Sequence, residues 1–239
     1  RRKGATAAGA SRGKMAAAML TSRRQLAATP RGEWAALLLI AALAALFRFW
    51  RLEELPPGLH YDEAFNALHA LRLYRGEPQP LYITDNNGEE PMHIYLTGLL
   101  FKLIGPTPIG GRMVSAAGGV VTVVTVYFLG VELFRGLGRR TAGGLGLLAS
   151  LYLAAWFWPF HYNRIGMEPS MVPLVAAPAA LFAWRAARTG RIRDAVLGGT
   201  FTALGIYTYP AGRAAPLVAA LIAAYHLITA RERRRSLGL

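Results

Sequence analysis

With 239 residues, 54% hydrophobic and 17% charged, the chain is too apolar for an ordinary soluble basic enzyme, and its apolar residues gather in runs long enough for membrane spans. A net charge of +14 would suit nucleic acid, but the arginines sit in short clusters between apolar runs, not on one basic stripe interleaved with aromatics. The absence of cysteine excludes a disulfide scaffold, a thiol nucleophile and a thiolate metal site.

Residues 1–31 carry eight Arg or Lys among Ala, Gly, Ser and Thr, a composition that predicts a basic, poorly ordered cytoplasmic arm with room for a short helix at 15–28. The run from Trp34 to Trp50 follows without a small-residue cleavage site, so it reads as a retained membrane anchor and not a secretory signal. Further apolar stretches at 113–133, 142–160, 170–184, 195–210 and 213–230 bring the expected total to about six spans. The predicted fold is all-α: a polytopic membrane helical bundle over 32–239, with 51–111 forming an external loop and interfacial helices. "MHIYLTGLLFKLIG", 92–105, is too short for a full crossing, and counting it as one would reverse every later segment. Left uncounted, it puts 19 of the 27 basic residues on the side of the amino terminus, as the positive-inside rule requires of a cytoplasmic face. The expected location is the cytoplasmic membrane, multi-pass, with the amino terminus cytoplasmic.

The polar region between Trp50 and Met92 holds eight of the 13 acidic residues. Pro56, Pro57 and Gly58 stop the first span, after which a helix is predicted from Asp62 to Tyr74, ending near Gly76. Asp62, Asn66 and His69 recur at i, i+4 and i+7 and share its polar face, opposite Ala64, Ala67, Leu68 and Leu71. Backbone N–H groups at the helix start favour the charged form of Asp62, which suits a base. They suit a helix cap equally well, and the local sequence leaves both readings open, with Glu63 beside it as a first-turn acid. In "TDNNGEEPMHIY", 84–95, Asn87 and Gly88 favour a turn, while Glu89, Glu90 and Pro91 start the next helix, as caps or as part of a site.

"WFWPFHYNRIGMEPS", 156–170, returns to the external side. There Arg164 suits either a phosphate or lipid headgroups, with His161 and Tyr162 to orient it. "IYTYPAGRAAP", 206–216, adds Tyr207, Tyr209 and Arg213. His60, Asp62, Glu63, His69, Glu89, Glu90 and His93 offer oxygen and imidazole donors, but their spacing matches no zinc motif or calcium loop. No metal or other cofactor is assigned, and a divalent cation is left open.

Taken in order, "LPPGLHYDEAFNALHALRLYRGEP", "GEEPMHIYLTGLLFKLIGPTPIGGRMVSAAGGVVTVVTVYFLG", "HYNRIG" and "YTYPAGRAAP" resemble the membrane-embedded C-type glycosyltransferases. The resemblance is to the bacterial relatives of dolichyl-phosphate-mannose protein mannosyltransferases (family 39-like) and of the aminoarabinose transferases acting on lipid A. It implies transfer of one sugar from a polyprenyl-phosphate sugar donor to an acceptor on the outer face of the membrane, with a protein, glycan or lipid as acceptor. It further implies contact with membrane lipids and none with nucleic acid. In such enzymes an acidic residue of the first external loop is the catalytic base, and Asp62 in "HYDEA" matches it, accompanied by Glu63. Glu90 in "GEEP" lies where relatives have a functional loop feature. The aminoarabinose branch tends to have a basic residue followed by prolines there, so Glu89, Glu90 and Pro91 favour the broader mannosyltransferase-like group. Such enzymes usually have many more spans, and the chain is expected to be an amino-terminal portion of one.

The catalytic candidates are Asp62 and Glu63. The substrate-binding candidates are His60, Asn66, Glu89, Glu90, His161, Arg164, Tyr209 and Arg213. Inversion is the simpler expectation, since no independent signal marks a covalent nucleophile. The competing function is a transporter or lipid flippase, which would favour ionisable groups at the bilayer midplane over an acidic external loop.

Overall fold

The computed structural model describes residues 31–86 and 88–236. The predicted basic arm, apart from Arg31, and its short helix at 15–28 lie outside the described residues, as does Asn87 of the predicted turn. In chain order the helices are α1 (Arg31–Phe49), α2 (Tyr61–Tyr74), α3 (Met92–Ile104), α4 (Gly110–Leu133), α5 (Arg139–Ala155), α6 (Phe157–Asn163), α7 (Met171–Thr189), α8 (Ile192–Gly205) and α9 (Ala215–Ser236). Among the described residues the extended structure is a single antiparallel bridge between Ile83 and Glu89.

Among the described residues four stretches are long and apolar enough to cross a membrane: α1, α4, Glu168–Thr189 around α7, and Pro210–Thr229 around α9. A fifth arises if α5 and α6, bent by 60° at their junction, count as one span. The protein is an all-α, multi-pass membrane bundle. The remaining stretch expected from the sequence, 195–210, is cut short because α8 ends at Gly205. Tyr209 is extended ahead of Pro210, as the residue before a proline prefers. At about 1.5 Å per residue, α3 and α8 reach only about 20 Å, against roughly 30 Å of hydrocarbon.

Helix α4 is the hub, packed against α1, α3, α5 and α7. One face of α1 is buried through Leu37, Ile40, Ala44 and Arg48, spaced three and four residues apart as a helical stripe must be. Ile40 and Ala44 meet Val123 of α4 and Ala154 of α5 in an apolar core. Small residues let these helices approach closely. At Gly119 a β-carbon would fall on Asn163 and on the Arg48 guanidinium. A second apolar cluster, Ala70, Ile83, Ile94 and Phe101, fastens α2 and the 83–89 turn to α3.

Polar ties close both ends of the bundle. At one end Glu33 accepts from Arg139 Nη1 and from the Tyr127 hydroxyl, each at 2.7 Å, Arg188 Nε donates to Glu132 Oε1 at 2.6 Å, and Arg185 lies 3.7 Å from Asp194. At the other end the 50–91 loop, the 163–170 segment and the 206–214 segment converge, drawn together in part by a hydrogen bond from Met92 N to Tyr207 O at 3.1 Å.

Candidate active site

The site begins where α2 begins. His60, not Asp62, caps the helix: its Nδ1 accepts from Asp62 N at 3.3 Å, while the Glu63 carboxylate accepts from His60 N at 2.8 Å. This reciprocal arrangement satisfies two otherwise orphaned donors, and it frees the Asp62 side chain from the capping role that the sequence left open.

Glu63 turns inward. Arg112, in the first turn of α4, donates to it from Nε at 2.7 Å and from Nη2 at 3.0 Å, and Gly166 N adds a bond of 2.9 Å. Arg112 also donates to the carbonyls of Leu52, Pro56 and Gly58, so one buried guanidinium gathers the chain leaving α1 around the start of α2. Burial pushes the Glu63 pKa up, but Arg112 and the two backbone amides outweigh it and hold the carboxyl below its ordinary value. Arg112 received no role from sequence reasoning. Its signal was an arginine immediately ahead of the apolar run at 113–133.

Asp62 points elsewhere. Its Oδ1 accepts from Asn86 Nδ2 at 3.2 Å, its Oδ2 lies 3.4 Å from His60 Nδ1, and its side chain is 27% exposed. It lines a cavity of about 350 Å³ with Asn86, Glu89, Glu90, Glu168 and Tyr209. Asn86 also donates to Glu89 Oε1 and so bridges two carboxylates. The 83–89 turn that carries it is closed by two backbone hydrogen bonds between Ile83 and Glu89, 2.8 and 3.1 Å, with Asn86 at φ 52° and Gly88 at φ 92°. At Gly88 a β-carbon would also strike the Tyr82 hydroxyl, so both its conformation and its contact require glycine.

Glu89 is buried, and its pKa is pushed up to about 8, first by burial and then by the negative charge of Glu168. Asn86 opposes the shift and Asp62 adds to it. Glu168 accepts from Asn66 Nδ2. Glu90 accepts from Arg213 Nη2, with Glu90 buried and the arginine side chain 55% exposed at the rim. Behind the cavity His93 Nε2 lies 3.1 Å from both Gly111 O and Ser115 Oγ, and Ser115 Oγ lies 2.8 Å from Ser170 Oγ. Burial lowers the His93 pKa against the pull of Glu168, Gly111 and Glu63.

The structure thus gathers Asp62, Glu89, Glu90 and Tyr209 around one cavity and brings Arg213 to it through Glu90. Glu168 and Asn86, to which the sequence assigned no role, join them. Asn66 stands behind Glu168, and His60 is the cap.

Arg164 and His161 do not line this cavity. Arg164 is buried, and its terminal nitrogens donate to the carbonyls of Phe47, Arg48, Trp50, Arg51 and Leu55. It caps the carboxy-terminal end of α1, where unpaired carbonyls and the helix dipole welcome a cation. His161 stacks on Phe157, with ring centroids 5.1 Å apart.

A second, largely apolar cavity of about 310 Å³ adjoins the first across Pro169, walled by Trp156, Trp158, Tyr162 and Asn163 with Arg48 at its edge. Arg48 donates to Asn163 Oδ1 at 2.9 Å and to Ala44 O and Ala154 O at 3.2 and 3.3 Å. Among the described residues no group of three or more His, Asp or Glu could hold a metal ion.

Residues 88–238 match a family model described as dolichyl-phosphate-mannose-protein mannosyltransferase. No curated protein matches the chain, and no solved structure does. The family match takes in Glu89, Glu90, Arg112, Glu168 and Arg213 but begins after Asp62 and Asn86. Covering more than half of a chain that folds as a multi-pass helical bundle, it shows that the protein belongs to the dolichyl-phosphate-mannose-protein mannosyltransferase family.

Proposed function

We propose that the protein transfers one sugar from a polyprenyl-phosphate donor to an acceptor hydroxyl at the outer face of the cytoplasmic membrane, inverting the anomeric centre, with Asp62 as general base. The bundle is read as one of the C-type glycosyltransferase kind. The observation that carries the reading is the split between two neighbours: Glu63 is locked under Arg112, whereas Asp62 opens on the cavity, partly exposed and oriented by Asn86. Orientation follows from charge. Arg135, Arg139, Arg140, Arg185, Arg188, Arg191 and Arg193 belong to the helix ends and turns opposite the cavity, an asymmetry that supports a cytoplasmic face at that end.

In the proposed reaction the isoprenoid chain lies in the bilayer and against the apolar cavity beside Trp156 and Trp158, so that phosphate and sugar reach the acidic cavity past Pro169. Asp62 takes the proton of the acceptor hydroxyl as its oxygen attacks the anomeric carbon. The bond from that carbon to the phosphate oxygen breaks, the electron pair leaves with the phosphate, and Arg213 at the rim offsets the growing charge. The acceptor is a hydroxyl of a protein, glycan or lipid.

Membranes carrying the full chain, supplied with polyprenyl-phosphate [14C]mannose, test this directly. Asp62→Asn keeps the size of the side chain and removes the base, so transfer should fall about 100-fold or more with the protein still inserted. Undiminished transfer by Asp62→Asn would refute the assignment.

A further inference from the structure

Asn163, the last residue of α6, is buried yet carries a donor that the protein leaves unused. Its side chain lines the second cavity, the residue is 6% exposed, and Oδ1 accepts from Arg48 Nε at 2.9 Å. An arginine only donates, so the amide must turn its oxygen toward Arg48 and its NH2 group away. Nδ2 has no hydrogen-bond partner among the described residues and, unlike a sealed orphan atom, keeps accessible surface in the cavity wall. Donors left open in mostly apolar surroundings are costly until an acceptor meets them.

The charge beside Asn163 selects the sign of that acceptor. Arg48 is 1% exposed, and its partners are all neutral: Asn163 and the carbonyls of Ala44, Leu153 and Ala154. Arg112 is as deeply buried but has Glu63 against it. Across Pro169, which lines both cavities, the sign reverses, because Asp62, Glu89, Glu90 and Glu168 stand there and the cation Arg213 is engaged by Glu90. An anion is therefore favoured on the Arg48 side of Pro169 and opposed by the carboxylates beyond it. Trp156, Trp158 and Leu153 supply apolar wall on the favoured side. A ligand that suits all of this has an apolar body and an anionic, acceptor-only head, which is the chemistry of a lipid phosphate.

Resting on the glycosyl-transfer reading above, we propose that Asn163 binds the phosphate of the polyprenyl-phosphate donor through Nδ2, in the field of Arg48, where the apolar cavity meets Pro169. The isoprene units next to the phosphate lie against Trp156 and Trp158, and the sugar extends past Pro169 to Asp62. Arg48 is a positioning residue, since its Nε–H fixes which way the amide faces. The Asn163 contact is made before the bond breaks as well as during it, so it sets KM and leaves kcat nearly alone. Arg213, on the other side of Pro169, remains for the charge that develops in the transition state.

The test measures equilibrium binding of tritiated polyprenyl phosphate and of polyprenol to the full chain in phosphatidylcholine nanodiscs, together with sugar transfer and melting, for the wild type, Asn163→Asp and Asp62→Asn. Aspartate keeps an acceptor for Arg48 and adds a charge that suits it, so Asn163→Asp should melt no lower than the wild type. It also replaces the NH2 group by an anionic oxygen. Its Kd for polyprenyl phosphate and its KM for the sugar donor should both rise about 10- to 100-fold, with kcat within about threefold and polyprenol binding within about twofold. If Asn163 only anchors Arg48, Asn163→Asp binds polyprenyl phosphate as the wild type does, and the proposal falls. A wild type that binds polyprenol as tightly as polyprenyl phosphate overturns it without recourse to any variant. Equal competition by dioleoyl phosphatidic acid would give the site to an ordinary phospholipid and overturn the assignment to the donor. The transfer reading fails separately: if Asp62→Asn is fully active, or the wild type transfers no sugar, while Asn163→Asp still weakens polyprenyl phosphate binding, the phosphate site stands and the reaction does not. Loss of transfer in Asp62→Asn with unchanged Kd and KM in Asn163→Asp removes only the role of Asn163.

Discussion

Arg112 and Glu63 form a two-pronged buried ion pair, Nε to Oε1 at 2.7 Å and Nη2 to Oε2 at 3.0 Å, that joins the first turn of α4 to the first turn of α2. Removing either partner leaves the other charge buried, and for Arg112 it also abandons three carbonyls of the chain between α1 and α2. Glu63→Ala and Arg112→Ala should each destabilise the protein by about 3–5 kcal/mol in thermal unfolding in detergent. Arg112→Lys should recover little, since an ammonium cannot match the fork. A drop below about 1 kcal/mol would show that the pair is dispensable.

The same pair sets a dependence on acid. Because the folded protein holds the Glu63 carboxyl below its ordinary value, the stabilisation is present at neutral pH, starts to fade as pH falls through the ordinary carboxylate range near 4.5, and is lost below the folded value. Glu63→Gln should flatten that acid limb of the melting profile while lowering stability at pH 7. An unchanged acid limb would mean that Glu63 does not govern it.

Arg164 supplies a contrast between capping and catalysis. Arg164→Ala should loosen the end of α1, costing about 2–3 kcal/mol for several lost bonds from a charged donor and speeding hydrogen exchange at residues 50–58. Arg164→Lys should restore part of that stability. Turnover per folded molecule should persist in both, with KM for the lipid donor within about twofold of the wild type, because a twofold change is only a few tenths of a kcal/mol. A tenfold rise in KM at unchanged stability would instead return Arg164 to the phosphate.

How far the sequence carried can be judged from these residues. The helix predicted from Asp62 to Tyr74 is found at Tyr61–Tyr74, because proline and glycine punctuation and apolar spacing are local signals. The short run at 92–105 forms a 13-residue helix. What composition could not supply was which polar group meets which. Nothing local distinguishes Asp62 from Glu63, and only the arrival of Arg112 from 49 residues away buries the second of them. The capping role of Arg164 was hidden because the carbonyls it holds lie more than 100 residues earlier in the chain. Glu168 had no local motif at all, and it joins the acidic cavity because the 163–170 turn folds back against α2.

Gly119 tests the close packing that holds the site to the bundle. A β-carbon there would fall on Asn163 and on the Arg48 guanidinium, both buried and hydrogen-bonded to each other. Gly119→Ala should destabilise by about 1–3 kcal/mol through overpacking, and Gly119→Leu should prevent stable folding. Recovery of a normal melting temperature by Gly119→Ala would show that α1 and α6 can shift away from α4 at little cost.

Glu89 makes a stability prediction opposite in sign to that of Glu63. Its folded-state pKa of about 8 stands above the ordinary 4.5, so between those values the unfolded chain releases a proton that the folded protein keeps. The folded state then binds more protons, and stability must fall as pH rises from about 4.5 to about 8, levelling off beyond. Glutamine at this position has no proton to lose. Glu89→Gln should therefore melt close to the wild type near pH 4.5 and above it at pH 8 and higher, with the gap opening steadily between. Parallel melting curves for the two proteins across that window would show that Glu89 is ionised alike in the folded and unfolded states, and that the repulsion from Glu168 and Asp62 is relieved by some other means.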